Sequence, residues 1–326
     1  MAKRLPGPAA RRWIAAQLTE AGRQYAGEIG EPRVRPWSIV VQVATDDGSV
    51  WFKANRAQTT YEPALLGVLV QRVPGMVLTP LAIDVDRGWS LLPDGGPILR
   101  SFPDDTVLRH WERVLPAYAQ LQRDLAAHLE DLTTAGVPDE RPARLPELFA
   151  LLLDQTDVLL VGEPDGLSPV ELDQLRSVGP ALTVSCKVLA DSAIPSTVDH
   201  GDLHDGNVFV TAAGPAVFDW GDACVTHPFA SLLVTMSALR ARFDLAPDAP
   251  ALARLRDAYL EPWTAFHNRS ELAELASLAV AIAPLNRALS WGRALSAVPP
   301  AYQREYRDAV PGWLRDLLPA AQAARG

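Results

Sequence analysis

Lysine is almost missing from this chain. It occurs three times, at Lys3, Lys53 and Lys187, against 27 arginines. Where arginine is the default cation, a lysine inside a strand pattern stands out, and Lys53 holds that position. Cysteine is equally scarce: Cys186 and Cys224 lie far apart and in no metal-ligand spacing. That excludes a disulfide scaffold and a cysteine-built zinc site, and fits two free thiols in a reducing compartment. No apolar run is long enough to span a bilayer; residues 275–283 are broken by Ser277 and followed by Pro284. The basic residues Lys3, Arg4, Arg11 and Arg12 have no continuous apolar segment behind them, so no secretory leader is expected and the chain reads as cytoplasmic. Positive charge is also lacking. A net charge of −9 argues against general nucleic-acid binding, which needs a basic surface to displace counterions. Neither a membrane nor an obligate protein partner is expected.

What is present is an ordinary globular composition, 48% hydrophobic and 21% charged, with 28 prolines dividing it into many short elements. A length of 326 residues exceeds one small core and predicts two lobes. Residues 12–28 read as a helix. Trp37-Ser38-Ile39-Val40-Val41-Gln42-Val43 then reads as a strand, Asp46-Asp47-Gly48 as a hairpin turn, and Ser49-Val50-Trp51-Phe52-Lys53-Ala54 as the second strand. A helix over 60–72 and strands over 76–83 and 88–92 follow. Pro93-Asp94-Gly95-Gly96-Pro97 is the clearest turn cluster, which divides the chain into 1–92 and 93–326. Helices dominate beyond it: 105–132 with a kink at Pro116, 145–155, 168–190, 229–243, 250–266, 271–295 and 301–322. Within this region 206–220 predicts a short hairpin, with strands at 207–211 and 216–220.

Asp202, Asn207 and Asp219 fall on the loop before that hairpin and at its open end. A hairpin brings its ends together, so Asn207 and Asp219 can face one point. One carboxylate and one amide oxygen suit Mg²⁺, which completes its octahedron with phosphates and water. Asp202 is then free to receive a proton from an attacking hydroxyl. A solvated polar hairpin with no site is the competing reading of the same residues.

The run His200-Gly201-Asp202-Leu203-His204-Asp205-Gly206-Asn207, followed by Val217-Phe218-Asp219-Trp220-Gly221-Asp222, resembles the aminoglycoside phosphotransferase and choline-kinase-like family. The resemblance implies an α+β, two-lobed protein-kinase-like fold, with a small β-rich N-lobe and a larger, mainly helical C-lobe. It implies ATP (or GTP) and Mg²⁺ as cofactors and a small-molecule hydroxyl as acceptor. Carried over residue by residue, Asp202 becomes the catalytic base, and Asn207 and Asp219 the metal ligands. Lys53 resembles the lysine that pairs with the nucleotide phosphates, and Glu62 its ion-pair partner. Thr59-Thr60-Tyr61-Glu62 also spells a helix capping box, although Pro63 would then sit at the fourth helical position. The segment from Ser90 through Leu91 and Leu92 to Asp94 would offer backbone to the adenine edge. No G-x-G-x-x-G occurs, so residues 30–38 would have to cover the phosphates.

Three departures and candidates remain. The family pattern has an aspartate where this chain has Ser231, which predicts a weaker hold on the catalytic loop. His200 and His204 have a spacing that binds zinc on a helix, but Gly201 and Gly206 argue for a loop in which His200 bonds backbone. Asn286, Arg287, Trp291 and Arg293 share a helical face and are either a pocket wall or packing. From residue 232 to 326 there are 9 acidic residues and 11 arginines, which favours a neutral or anionic sugar, amino-alcohol or antibiotic over a polycation. The function expected is transfer of a γ-phosphoryl group to a small-molecule hydroxyl. The alternative is a pseudokinase-like binding protein without turnover. A peptide-directed kinase is disfavoured because no A-P-E landmark follows Asp219.

Overall fold

The computed structural model describes residues 7–296 and 304–318. Helix α1, Pro8–Glu20, opens on a proline at N1, where the missing N–H costs nothing. It stops at Gly22, whose φ of +73° supplies the left-handed turn that ends the helix. The predicted helix over 12–28 is therefore too long, and its last part is strand β1, Tyr25–Ile29. The six-stranded antiparallel sheet continues with β2 (Arg33–Val34), β3 (Ser38–Thr45), β4 (Gly48–Asn55), β5 (Ala82–Asp84) and β6 (Trp89–Pro93). Its order is β1-β3-β4-β6-β5, with β2 also paired to β3. The β3–β4 hairpin closes Thr45 on Gly48 across Asp46-Asp47 and sets the register that puts Lys53 opposite Val40 on one side and Ser90 on the other. Ala10, Ile14 and Leu18 of α1 pack on Val41, Val43, Val50, Phe52 and Leu91, forming a core of their own for this lobe. The strand expected at 76–83 survives only as β5, because Pro80 removes a ladder donor; Val77 instead makes a single parallel bridge to Val217.

Helix α2, Glu62–Arg72, buries Leu65, Leu66 and Leu69 against the larger, second core. After β6 the linker packs closely. A Cβ at Gly95 would lie 2.4 Å from the Phe209 ring, so only glycine fits. Then come α3 (Asp104–Leu125, with Pro116 inside it), α4 (Leu129–Thr134), α5 (Leu145–Leu153), α6 (Thr156–Leu159) and α7 (Pro169–Asp191). The capping box of α7 is complete: Ser168 accepts from the Glu171 N–H and Glu171 from the Ser168 N–H. Four short strands follow, β7 (Thr197–Asp199), β8 (Val208–Thr211), β9 (Gly214–Val217) and β10 (Cys224–Thr226). β8–β9 is the predicted hairpin, whereas the β7–β10 pair has no sequence signal beyond three residues each. Helices α8 (Leu232–Phe243), α9 (Pro250–Leu260), α10 (Arg269–Ser296) and α11 (Ala309–Arg315) complete the described chain. The helix expected over 301–322 falls partly outside the described residues. α10 is the one described helix long and apolar enough to cross a bilayer, but 61% of its apolar window is buried within the protein. It is a core helix.

Candidate active site

The site forms where the sheet lobe meets the β7–β10 region. Backbone placement comes first. The Phe218 N–H bonds the Asn207 carbonyl at 3.0 Å, extending the β8–β9 ladder by one step and setting Asn207 beside the chain that leads to Asp219. Asp219 is held at φ +67°, ψ +60°, a left-handed conformation that turns its carboxylate into the cleft, where it is 53% exposed. Gly201 is also left-handed, and a Cβ there would sit 2.4 Å from the Asp222 carbonyl oxygen. The loop can pass this point only as glycine.

Lys53 bridges the two lobes. Its ammonium lies 2.6 Å from Glu62 and 2.5 Å from Asp219, and the residue is only 7% exposed. Burial opposes the charge, but the two carboxylates outweigh it and hold the lysine protonated more firmly than usual. Glu62 is 2% exposed and fully engaged: it also accepts from Asn55 Nδ2 at 2.7 Å and from the Trp220 N–H at 3.0 Å. The capping-box reading of Thr59 fails. α2 begins at Glu62 itself, and the Thr59 hydroxyl bonds the carbonyls of Trp37 and Arg56 instead. Tyr61 is a residue that sequence reasoning missed. Its hydroxyl reaches the carbonyls of Gly221 at 2.7 Å and Ala223 at 2.9 Å, tying α2 to the turn behind Asp219.

Asp202 faces the same cleft. His204 Nδ1 accepts from the Gly206 N–H, so its Nε2 carries the proton and points at Asp202 Oδ2, 3.4 Å away. Arg287 reaches from α10 with one nitrogen 2.7 Å from the Gly201 carbonyl and another 3.5 Å from Asp202 Oδ1. Burial pushes against ionisation of Asp202, yet His204 and Arg287 prevail, and its pKa lies at about 2. Asn207 Nδ2 donates to the Asp202 carbonyl at 2.9 Å, which fixes the amide. Desolvation by the cleft walls opposes the Asp219 charge, half exposed though the side chain is, and Lys53 holds that carboxyl below its ordinary value.

The donors suit a divalent cation that arrives with phosphates. Among the described residues no cluster of three His, Cys, Asp or Glu exists to hold a metal alone. Asp219 and the Asn207 amide oxygen supply two oxygens, the number that leaves room for phosphate and water. The zinc reading of His200 and His204 fails because their nitrogens are engaged. His200 Nε2 bonds the Phe218 carbonyl at 2.9 Å and its Nδ1 accepts from the Asp202 N–H at 3.2 Å.

The other expected residues fall as follows. β6 pairs with β4 up to Pro93 and with β5 up to Leu91, and the Leu91 carbonyl is taken by the Leu81 N–H. Of Ser90, Leu91 and Leu92, only Leu92 lies beyond the β5 pairing, so the outer edge of β6 opens there. Residues 30–38 include β2 and a turn in which the Arg35 N–H bonds the Ser38 carbonyl. Trp37 at their end packs on Trp291 and Tyr306 at ring distances of 5.4 and 5.2 Å. The helical face at 286–293 is a wall, but an internal one. Asn286 donates to Glu140 at 2.8 Å and Arg293 pairs with the same carboxylate, while Trp291 joins the aromatic contact. Of these four, Arg287 is the one that touches the catalytic loop. Ser231, expected to grip the catalytic loop, instead donates to Asp199 at 2.6 Å.

Solved structures with the same fold include a type I macrolide 2'-phosphotransferase, 19% identical, with 98% of each chain covered and a TM-score of 0.52. A choline kinase from Streptococcus pneumoniae is 12% identical over 97% of this chain and 99% of its own, with a TM-score of 0.60. An amicoumacin kinase in complex with AMP-PNP, Ca²⁺ and Ami is 10% identical over 94% of this chain and 96% of its own, with a TM-score of 0.56. No curated protein matches the sequence. With the model of the APH phosphotransferase enzyme family matching residues 41–275, well over half its length, the chain belongs to that family.

Proposed function

We propose that this protein transfers the γ-phosphoryl group of ATP (or GTP), with Mg²⁺, to a hydroxyl of a small molecule. The observation that carries the reading is Lys53 bridging Glu62 and Asp219 across the lobes, with Asp202 and Asn207 opening on the same cleft. Asp219 and Asn207 would hold the metal, which when bound neutralises the phosphate oxygens. Lys53 would exchange its bond to Asp219 for the α- and β-phosphates while Glu62 keeps it in place. The backbone of residues 92–94 would meet the adenine edge, and residues 30–38 would cover the phosphates.

Asp202 orients the acceptor. A carboxyl with a pKa of about 2 is a weak base, so it takes the hydroxyl proton late, as the bond to phosphorus forms. Positioning then supplies most of the rate, which suits a loop held by His204, Arg287 and the Gly201 turn. Beside the catalytic loop Asp202 and Asp222 both face Arg287. Carboxylates neutralised internally leave little to attract a polycation. The favoured acceptors are therefore neutral or anionic sugars, amino-alcohols or antibiotics. A reaction drawing on ATP belongs in the cytoplasm.

ADP release from Mg-ATP across a panel of hydroxyl compounds tests the reading. Asp202→Asn is expected to abolish turnover and leave nucleotide affinity within about twofold, because the residue faces the acceptor and not the nucleotide. Full activity in that variant overturns the role of Asp202. Nucleotide binding without ADP release in the wild type would make the chain a binding protein, and kanamycin-type polycations as best substrates would refute the acceptor class.

A further inference from the structure

Beneath the catalytic loop lies a buried polar layer that the reaction as described does not use. At its centre is Asp199, the last residue of β7, 4% exposed. Its Oδ1 accepts from the Ser231 hydroxyl at 2.6 Å and from the Tyr118 hydroxyl at 3.5 Å. The Tyr118 oxygen in turn accepts from the His200 N–H at 2.8 Å. Gln122 ties the layer to both strands and helices: Nε2 donates to the Val198 carbonyl at 2.9 Å and to the Ser231 oxygen at 3.1 Å, and Oε1 accepts from the Tyr259 hydroxyl at 2.6 Å. Among the described residues no cation forms an ion pair with Asp199; Arg287 pairs with Asp202 and Asp222.

Burial pushes the Asp199 pKa up, so keeping it a carboxylate is expensive, and a neutral hydroxyl or amide would satisfy the same donors at lower cost. What a carboxylate adds is strength and direction in the bonds it accepts. Through Tyr118 those bonds end on the peptide N–H of His200, whose ring in turn accepts from the Asp202 N–H. We propose that Asp199 is the positioning carboxylate of the catalytic loop, fixing the His200 peptide through Tyr118 and, through the His200 ring, the direction of Asp202. It does from the strand side what the family pattern assigns to an aspartate at position 231. The inference rests on Asp202 being the group that orients the acceptor.

The geometry allows the carboxylate to be moved. A cavity of about 10 Å³ is lined by both Asp199 and Ser231, together with Gly201, Asn286 and Arg287. Ser231→Asp adds two heavy atoms on that side, and Asp199→Ser removes two. Single variants should therefore fail for different reasons: Asp199→Ser has no carboxylate, and Ser231→Asp has two pressed together. The double variant Asp199→Ser/Ser231→Asp restores one.

The test measures two things on the full chain. Hydrogen exchange of the peptide covering residues 200–207 reports the hold on the loop without any substrate. ADP release from Mg-ATP with water as acceptor reports the rate. Asp199→Ser is expected to exchange about tenfold faster over 200–207 and to lose about tenfold or more in kcat, with KM for Mg-ATP unchanged. The double variant should recover to within about threefold of wild type in both. Asp199→Asn, which keeps the shape and loses the charge, should lie between wild type and Asp199→Ser, and it decides the matter if the serine variant does not fold. Unchanged exchange and kcat in Asp199→Asn, or a double variant no better than Asp199→Ser, overturns the proposal. If the wild type releases no ADP, the exchange arm still decides the role of Asp199, and the missing turnover counts against the function alone.

Discussion

Replacing Lys53 by methionine should cost this protein stability before any substrate is added, and the size follows from its neighbours. Removing one partner of a buried ion pair costs about 3–5 kcal/mol, because the other charge is left uncompensated. Asp219 is half exposed and regains water, so it adds little. Glu62 is 2% exposed but keeps its bonds from Asn55 and the Trp220 N–H, which places Lys53→Met near the low end, at about 3 kcal/mol. Glu62→Gln in the Lys53→Met background removes the stranded charge. Asn55 Oδ1 has no hydrogen-bond partner, so a flip of that amide can accept from the new side-chain NH₂. Glu62→Gln alone should cost about 1 kcal/mol, because Lys53 keeps Asp219, so a double variant about 1 kcal/mol below wild type corresponds to a coupling energy of about 3 kcal/mol between the two positions. Urea unfolding of the four proteins, followed by circular dichroism without nucleotide, measures the cycle. A coupling below about 0.5 kcal/mol, the additivity limit for independent sites, would refute the account of Lys53 as the buried keystone of the lobes.

Two further outcomes follow from the fold. Gly201→Ala forces a Cβ against the Asp222 carbonyl at a left-handed φ, and should cost about 2 kcal/mol or more with at least about a hundredfold loss in ADP release; a stable, fully active variant would show that the loop shifts freely. His227 is buried, and burial alone drives its pKa down to about 3, from an ordinary 6.5. Below 6.5 the unfolded chain takes up a proton that the native ring cannot, so His227 lowers stability as pH falls from 6.5 towards 3, by about 1.4 kcal/mol between pH 7.5 and 5.5. His227→Asn retains an acceptor for the Phe229 N–H and should lack that share of the decline, which urea unfolding at the two pH values reads directly; equal declines in both proteins would contradict it.

The sequence was most legible where chemistry and chain order coincide. Asp202, Asn207 and Asp219 lie within eighteen positions of one another, and a hairpin signal between the last two says how they meet. Lys53 was legible because the chain is so poor in lysine. What escaped was assembled across long separations. Arg287 meets Gly201 from 86 residues away and Tyr61 meets Gly221 from 160, and neither has a local pattern that announces it. Asp199 was hidden for a different reason: a carboxylate beside a catalytic loop reads as part of the loop, and only its burial shows that it points the other way. The β1 strand was lost because Tyr25-Ala26-Gly27-Glu28-Ile29 is short and half polar, so the preceding helix pattern ran over it.

The Tyr61 hydroxyl has a mechanical consequence. It ties the small lobe to the large one close to the ion pair, alongside the packing of α2 in the larger core and the Val77–Val217 bridge. Glu62 is the next residue and Lys53 is bonded to it, so this side of the ion pair is held to the turn behind Asp219. The segment around Trp37 has no such shelter: its edge-on contacts to Trp291 and Tyr306 are made to the other lobe and must separate for the lobes to part. A motion that parts these rings would be written in tryptophan fluorescence.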